Sequence, residues 1–389
     1  MIVGGIVLPQ TVCAEDVKES ELYARAAVLM DGDSGRVLYS KNGLEPLANA
    51  STTKILTCII ALENCDLEQT VEFSARAASA PKVHLGAAAG KKFRMKDLIS
   101  AMMLESFNDC AVAIAEQIGG SVEAFSGLMN DYARQIGCTD SYFLTPNGLD
   151  AEDGNGYHHT TANDLALIMR YCIRQSPKAD LFLGITAEAE HSFSDLDGTM
   201  TYHCYNHNAF LNMMDGALSG KTGFTGKAGY CYVGALEQNG KTLIVALLAC
   251  GWPNHKTYKW QDTKKLMEYG LASYQKVEVE AFEPKIKIPA YLPVKNGCSE
   301  RIGEESYAGL ALKKKEGVAS VLKKEEEAIT IEYRIAEILT APVEKESIVG
   351  EVCLKLHDQV LQTYEVLTTE EIPVRTFYSC LYQVYALIL

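Results

Sequence analysis

This chain of 389 residues lacks the sequence motifs of several classes of metal-binding and nucleotide-binding proteins. It contains 12 cysteines, but they are scattered along the chain. No two cysteines form a Cys-x-x-Cys pair, so neither a zinc ribbon nor an iron–sulfur site is expected. A phosphate-binding loop and a dinucleotide fingerprint are missing too. The net charge is −14, whereas a protein that binds nucleic acid needs a basic surface to neutralise phosphate. We therefore expect no cofactor and no nucleic-acid partner.

The two ends of the chain are apolar. Residues 2–12 lead into Val12-Cys13-Ala14, a small-residue pattern typical of a signal-peptidase site, so residues 1–14 are interpreted as the remnant of a signal peptide. This predicts an exported protein that works outside the cytoplasm, in the cell envelope. Residues 376–389 carry no charge but are too few to span a bilayer. This tail is either an anchor at the outer face of the cytoplasmic membrane or a last strand with a frayed end.

The pattern between the ends predicts two domains. Helical patterns separate two predicted β-hairpins, and the second hairpin turns through Asn239-Gly240, a strong hairpin signal. The strands of these hairpins are predicted at residues 26–30, 36–40, 229–236 and 242–250. Because strands stand at both ends of this segment, we expect them to share one sheet. The predicted fold class is mixed α/β (α+β), with an antiparallel sheet flanked by helices over residues 15–276. Short alternating runs then predict a small all-β domain over residues 277–375.

The chemistry is predicted to centre on Ser51-Thr52-Thr53-Lys54. An apolar run over residues 55–62 fits a buried helix, and serine is favoured at a helix start. Positions three apart share a helix face, so Lys54 can reach the Ser51 hydroxyl. A serine hydroxyl is a weak nucleophile until a neighbour takes its proton, and a lysine in an apolar pocket can serve as that base. The alternative is an ordinary capped helix with an exposed lysine.

Two further groups bear on Ser51. Ser106-Phe107-Asn108 lies at the junction of two helical stretches, where a hydroxyl and an amide can face a cleft; a plain helix cap is the alternative. Gly220-Lys221-Thr222-Gly223 precedes the second hairpin, and glycines in a strand indicate a close approach to the backbone. Its alternative is a turn with an exposed lysine.

In this order, Ser-x-x-Lys, Ser-x-Asn and Lys-Thr-Gly match the three signatures of penicillin-binding proteins and serine β-lactamases. Residues 50–57, 145–150 and 220–229 resemble low-molecular-mass penicillin-binding proteins, the serine-type D-alanyl-D-alanine carboxypeptidases. The resemblance covers residues 22–275 and, more loosely, the β-rich domain. It implies a β-lactamase/transpeptidase-like fold for the first domain. The terminal stretch resembles the family's membrane-anchoring tail, although no basic residue follows Arg375.

The resemblance also implies a mechanism. Ser51 attacks the carbonyl between the two terminal D-alanines of a peptidoglycan stem peptide, with Lys54 as base, and Ser106 relays a proton to the leaving amine. The acyl-enzyme is then hydrolysed, and β-lactams act as covalent inhibitors. Further residues hold the substrate by contacts to its backbone, terminal carboxylate and oxyanion: Asn108, Lys221, Thr222, Gly223 and Phe224. The oxyanion hole is expected to be the backbone N–H groups of Ser51 and Phe224.

Other functions are weighed against this one. A class A β-lactamase needs a Glu-x-x-Leu-Asn segment for deacylation, and this chain has none. A catalytically silent wall-binding module is disfavoured by the intact Ser51, Lys54 and Lys221. A D,D-endopeptidase or transpeptidase differs only in the substrate or nucleophile accepted, so both stay open. One departure is Lys259, where many relatives have an arginine, because lysine cannot form a bidentate fork to a carboxylate.

Two pairs of histidines complete the candidate residues. His203 and His207 have a metal-ligand spacing, but the sequence around them offers no acidic partner and no clear helix, so no metal site is predicted. His158 and His159 are predicted to be loop residues near the rim of the cleft.

Overall fold

The computed structural model describes residues 16–301 and 303–388, so the predicted signal peptide, residues 1–14, lies outside it. The chain divides into two compact units, with the boundary between Gln275 and Lys276. The first unit contains the three motifs, and the second consists largely of strands.

A five-stranded antiparallel sheet forms the centre of the first unit. The strands of this unit are β1 (Ala26–Asp31), β2 (Val37–Lys41), β3 (Thr70–Glu72), β4 (Lys92–Arg94), β5 (Glu152–Asp153), β6 (Gly156–Tyr157), β7 (Glu190–Ser194), β8 (Thr201–Tyr205), β9 (Ala217–Thr225), β10 (Gly229–Gln238) and β11 (Lys241–Leu248). The order in the large sheet is β2-β1-β11-β10-β9, and Ala26 pairs with Leu248. Both predicted hairpins and the predicted sharing of one sheet are confirmed.

Helices pack against this sheet and complete the core. They are α1 (Lys54–Asn64), α2 (Ala75–Ala78), α3 (Met95–Leu104), α4 (Asn108–Gly119), α5 (Val122–Ile136), α6 (Ala162–Arg170), α7 (Ala179–Ala187) and α8 (Tyr258–Ser273). In α1 every residue from Lys54 to Leu62 is buried, as expected for a helix that is apolar on all sides. The α4–α5 junction follows local chemistry, since Gly120 adopts φ 75° after α4 and the Ser121 hydroxyl accepts the Ala124 N–H.

Three small sheets were not predicted. β3 pairs with β4, β5 with β6, and β7 with β8. Residues 70–90 also contain β3 and the short helix α2. Segments of two to five residues are too short for a periodic pattern to show in the sequence.

The second unit is built on a six-stranded sheet in the order β16-β18-β19-β14-β13-β17. The strands here are β12 (Gln275–Glu278), β13 (Tyr291–Lys295), β14 (Ser306–Lys314), β15 (Ser320–Lys323), β16 (Ile329–Ile335), β17 (Leu339–Thr340), β18 (Ile348–Leu356) and β19 (Gln359–Thr368). Alternating residues of β18 and β19, such as Val352, Leu354 and Val366, form the core of the unit. A β-rich region was predicted here.

The last element that the structure describes is a helix, α9 (Phe377–Ile388), so the alternative of a last strand is wrong. The helix begins there because Thr376 and Ser379 cap it reciprocally: each side chain accepts the backbone N–H of the other residue. Among the helices of residues 16–301 and 303–388, none has the length and apolar character needed to cross a membrane.

Candidate active site

Ser51 lies in a tight 3₁₀ turn, Ala50–Thr53, that leads directly into α1 at Lys54. The helix starts where it was predicted, but the serine precedes it and does not cap it. In a 3₁₀ turn, residues three apart lie above one another. Nζ of Lys54 therefore comes within 2.8 Å of Oγ of Ser51. Ala50 has a φ of 50°, a left-handed conformation that costs energy for a non-glycine residue and that is typical of functional sites.

The Lys54 amine is fully buried and has three partners. Besides Ser51, it donates to Oδ1 of Asn108 at 2.9 Å and to the carbonyl oxygen of Asn147 at 2.8 Å. Burial above all, and then the charge of Lys221, hold the pKa of Lys54 well below its usual range. A neutral amine has two N–H groups and one lone pair. Because the two carbonyl-type oxygens take the N–H groups, the lone pair faces the Ser51 hydroxyl and can accept its proton.

A second lysine–serine pair lies beside the first. Ser106 stands between α3 and α4 in a left-handed conformation, with φ 65°. Lys221, on β9, donates to Ser106 Oγ at 3.0 Å and to the Thr222 carbonyl at 3.0 Å. Burial lowers the pKa of Lys221 to about 7. The charge next to the Ser106 hydroxyl therefore changes near neutral pH.

Asn108 begins α4 and is turned inward. Its Oδ1 accepts from Lys54, its Nδ2 donates to the Pro81 carbonyl at 3.1 Å, and its backbone N–H donates to the Val83 carbonyl at 2.8 Å. The next residue, Asp109, accepts the backbone N–H groups of Leu85 and Gly86, each at 2.9 Å. The loop over residues 81–86 is therefore held against the start of α4, and the Asn108 amide is engaged within the protein.

The edge strand β9 lies directly against the Ser51 turn. Gly223 has no room for a side chain, because a Cβ there would lie 2.8 Å from the Ser51 backbone nitrogen and 3.0 Å from the Asn49 carbonyl oxygen. On either side of this glycine, Thr222 and Phe224 line the cleft. The glycines of the Lys-Thr-Gly motif predicted that something approaches the backbone closely. At Gly223 the group that approaches is the backbone of the Ser51 turn.

Sequence reasoning missed one contributor, Asn147, whose carbonyl oxygen accepts from Lys54. Its loop packs on the Ser51 turn. Thr57 Oγ1 donates to the Pro146 carbonyl at 2.7 Å, and Gly148, with φ 80°, lies so close that a Cβ would be 1.8 Å from the Ala50 oxygen. The signal was present in the Thr145-Pro146-Asn147-Gly148 motif, but a backbone carbonyl has no signature in sequence.

The three motifs therefore meet at one place, in the order along the chain that the resemblance required. A family model described as D-alanyl-D-alanine carboxypeptidase, peptidase family S11, matches residues 13–250. The chain belongs to this family. The predicted resemblance is confirmed.

Individual relatives agree with the family match. The D-alanyl-D-alanine carboxypeptidase DacF of Bacillus subtilis is 27% identical over 355 residues, which cover 90% of this chain and 85% of the relative. DacB2 of Mycobacterium tuberculosis is 31% identical over 253 residues, 64% of this chain and 82% of the relative.

Solved structures confirm the predicted fold class. Penicillin-binding protein 5 of Haemophilus influenzae has a TM-score of 0.67 at 24% identity, and the match covers 95% of this chain and 100% of that protein. The D-alanyl-D-alanine carboxypeptidase of Mycobacterium tuberculosis H37Rv has a TM-score of 0.60 at 29% identity, with 68% of this chain and 96% of that protein covered.

The cleft of this S11 family member has a volume of about 530 Å³. Ser51, Ser106, Thr222, Gly223 and Phe224 line it, whereas Lys54, Asn108 and Lys221 lie buried behind that lining. We call this the active-site cleft. His207, Lys256 and Lys259 also line it, and no aspartate or glutamate does within the part of the chain that the structure describes.

Lys259 is held between aromatic rings. Its Nζ lies 4.7 Å from the ring centroid of Tyr230 and 4.8 Å from that of Trp260, and it donates to the Lys256 carbonyl at 2.7 Å. Burial lowers the pKa of Lys259. Attraction to the ring faces holds the ammonium group in place. Lys259 is therefore a positioned point charge at the cleft, whereas an arginine there would offer a planar fork.

His158 is a loop residue, as predicted, but it is buried and does not lie at the rim of the cleft. Its Nδ1 accepts backbone N–H groups from Leu144 at 3.0 Å and Thr145 at 3.3 Å, so Nε2 carries the proton and donates to Thr53 Oγ1 at 2.9 Å. Burial lowers the pKa of His158 to about 3. A neutral His158 thus ties the loop with Asn147 to the Ser51 turn, from behind the cleft.

His203 and His207 have different partners. His203, exposed on β8, pairs through Nδ1 with the Ser192 hydroxyl at 2.9 Å, whereas His207 at the active-site cleft contacts Glu105. Sequence reasoning found no acidic partner for His207, because Glu105 is 102 residues away in the chain.

Proposed function

We propose that this chain is a serine-type D-alanyl-D-alanine carboxypeptidase that removes the terminal D-alanine of peptidoglycan stem peptides through an acyl-enzyme on Ser51. The observation that carries the proposal is the geometry of Lys54. Its two N–H groups are engaged by Asn108 and Asn147, so its lone pair faces the Ser51 hydroxyl 2.8 Å away. A lowered pKa and a fixed direction are what a general base requires.

In the acylation step, Ser51 Oγ attacks the carbonyl carbon between the two D-alanines while Lys54 takes the hydroxyl proton. The new Oγ–C bond forms, the C–N bond breaks, and the leaving nitrogen needs a proton. Ser106 supplies it, because Lys221 donates to the Ser106 oxygen and makes the hydroxyl a better proton donor toward the cleft. Ser106 is reprotonated by Lys221, and Lys221 recovers the proton that Lys54 took from Ser51, so Lys54 is neutral again. Lys54 then deprotonates a water that attacks the ester carbon; the C–Oγ bond breaks, Ser51 regains its proton from Lys54, and the shortened stem leaves.

Two features support the assignment of the binding groups. The backbone N–H groups of Ser51 and Phe224 form the oxyanion hole in this proposal, and the close packing of Gly223 on the Ser51 nitrogen brings β9 to that position. Thr222 holds the terminal carboxylate, with Lys259 as a nearby positive charge. Asn108 acts mainly by orienting the Lys54 amine, since its side chain is engaged inside the protein.

The test is an intact-mass time course after mixing the protein with benzylpenicillin, with Ser51→Ala as control. A Ser51-dependent adduct that persists for many minutes supports the carboxypeptidase. An adduct that clears within seconds while drug is consumed indicates a β-lactamase instead. If no adduct forms, the acyl-enzyme mechanism is wrong and a silent wall-binding module is the better account. Product analysis with cross-linked and linear peptides separates endopeptidase and transpeptidase activities.

The members of this family act in the cell envelope, and we propose that this chain is exported and touches the membrane surface through α9. Tyr378, Tyr382 and Tyr385 follow one another at helical spacing and are 79%, 75% and 64% exposed. Tyrosines on an uncharged helix suit the bilayer interface. In a vesicle flotation assay the triple Tyr→Ser variant should lose binding. Retention of binding by this variant would contradict membrane contact through α9.

A further inference from the structure

Glu105 and His207 form a pair at the mouth of the active-site cleft. Glu105 follows the last residue of α3 and directly precedes Ser106. One carboxylate oxygen lies 2.8 Å from Nε2 of His207, and the other accepts the backbone N–H of Tyr205 at 2.8 Å. The Glu105 side chain is only 17% exposed, whereas that of His207 is 63% exposed. The carboxylate is therefore anchored, and the imidazole is open to solvent and to the cleft.

Only one edge of the His207 ring is held. A carboxylate at Nε2 requires that this nitrogen carries a proton. In the part of the chain that the structure describes, Nδ1 has no protein partner. When the imidazole is protonated, Nδ1 becomes a second N–H donor, directed away from Glu105. A protonated His207 thus presents Nδ1–H as a charged donor, and Glu105, which does not line the cleft, sets the orientation of the ring.

The position of the pair matches one end of the substrate. In the proposed mechanism Ser106 protonates the leaving amine, so the leaving D-alanine lies next to Ser106. Its carboxylate is attached to the carbon that bears this amine. Glu105 precedes Ser106 in the chain, and His207 lines the cleft together with Ser106 and Thr222. A carboxylate held by Thr222 therefore lies in the same cleft as the open side of the imidazole.

We propose that His207 is a specificity-determining residue, whose protonated imidazole donates from Nδ1 to the carboxylate of the leaving D-alanine, and that Glu105 is a positioning residue that holds the ring. The proposal rests on the carboxypeptidase function proposed above and deepens it. It explains why the exposed histidine is tied to a carboxylate, and it assigns a second contact to the substrate carboxylate in addition to Thr222.

This contact needs a proton on Nδ1. An imidazole that carries its proton only on Nε2 accepts at Nδ1 and cannot hold a carboxylate there. Other ionisable groups face the cleft or the ring: Glu105 at the end of α3, Lys221 on β9, Lys259 on α8 and Lys256 just before α8. Those groups are common to all variants of His207, so differences between variants isolate the imidazole.

The experiment measures kcat and KM of the full chain from pH 5 to pH 8 with a peptide that ends in D-Ala-D-Ala. At pH 5 we expect the KM of His207→Gln to exceed that of the unaltered protein about tenfold, the effect of losing one charge-assisted hydrogen bond, with kcat changed less than about threefold. His207→Arg keeps a cationic donor and should keep a KM near that of the unaltered protein at pH 5. Raising the pH to 8 should narrow the difference in KM between the unaltered protein and His207→Gln, and should leave the difference between His207→Arg and His207→Gln. The control is His203→Gln. His203 lies two residues before Tyr205 on β8 and pairs with Ser192, so this variant should match the unaltered protein.

Glu105 is tested by a double-mutant cycle. Glu105→Gln should raise KM when His207 is present and should have no further effect in the His207→Gln background, because the carboxylate acts through the ring. A purely structural role of Glu105 would give equal effects in both backgrounds.

A KM of His207→Gln that follows the unaltered protein at every pH would overturn the proposal, and so would a loss confined to kcat. Neither outcome affects the function itself, which is tested by peptide hydrolysis and by the Ser51 adduct of the unaltered protein. If those fail, the carboxypeptidase function fails before His207 is considered.

Discussion

In the first unit, up to Gln275, charged side chains lie in the interior: Lys54 and Asp109 are at most 1% exposed, and Lys221 is 3% exposed. In the second unit, none of the charged side chains described between Lys276 and Ile388 is buried. Its ion pairs, such as Lys314 with Glu283 at 2.5 Å, lie at the surface.

The difference reflects the cost of removing a charge from water. A buried ion loses its hydration, which several well-directed polar contacts can only partly replace. Lys54 has three such contacts and Asp109 accepts two backbone N–H groups from the loop over residues 81–86. For Lys54 the remaining cost favours the neutral amine that the proposed reaction needs. In the described part of the second unit no charged side chain is buried, and the core is apolar.

The largest expected effect is on the chemistry of the buried amine. Lys54→Met should lower the rate of Ser51 acylation by benzylpenicillin about 10³-fold or more, because the general base is lost, while the fold is retained. The matched control is Lys313→Met, an exposed lysine of β14. Intact-mass kinetics measure both. Fast acylation of Lys54→Met would show that another group takes the serine proton.

The next effect compares two glycines with similar positive φ angles. Gly148 has φ 80° and Gly303 φ 85°, but only Gly148 faces another backbone, whereas an added Cβ at Gly303 meets nothing within 4 Å. Gly303→Ala should cost about 1 kcal/mol of strain. Gly148→Ala should cost roughly 3 kcal/mol and slow acylation, because the Asn147 loop must move away from Ala50. Urea unfolding measures both, and equal losses would contradict the packing of this loop.

An effect that is smaller for each pH unit concerns the pH dependence of stability. The pKa of Lys221 is about 7 in the folded chain and near 10.5 when unfolded, so between these values the unfolded chain binds one proton more. The free energy of unfolding should therefore gain about 1.4 kcal/mol per pH unit over this window. Below pH 7 Lys221 is protonated in both the folded and the unfolded chain. The cost of burying its charge then lowers the free energy of unfolding by its full amount.

Lys221→Met lacks this titration, so the stability of the variant relative to the unaltered protein should be constant below pH 7 and should fall from pH 7 to 10.5. Both tryptophans, Trp252 and Trp260, lie in the first unit, so their fluorescence reports its unfolding. Lys313→Met should show no such trend. A difference for Lys221→Met that does not depend on pH would place the pKa of this lysine near its ordinary value.

The smallest effect is expected in the second unit. Lys314→Met removes the exposed pair with Glu283 and should shift the Tm by less than about 1 °C, because exposed ion pairs are screened by water and salt. Differential scanning calorimetry at low and high salt measures it. A large salt-dependent loss would mean that surface charges also carry stability in this unit.

Local patterns in the sequence predicted much of the fold. The hairpin at Asn239-Gly240, the helix after Ser51 and the β-rich second region follow from turn chemistry and periodicity, which act between near neighbours. The candidate site was predicted from three short motifs. The inward direction of Asn108 and the burial of His158 were not, because both depend on packing against loops that periodicity does not describe.

The sequence by itself determined the residue types that carry the chemistry and the order in which they occur. Only the tertiary structure decided which groups complete them. The Asn147 carbonyl reaches Lys54 across 93 residues, and Glu105 reaches His207 across 102. Such contacts form when the sheet and helices close around the Ser51 turn, and neither a backbone carbonyl nor the direction of a side chain is specified by its sequence neighbours alone.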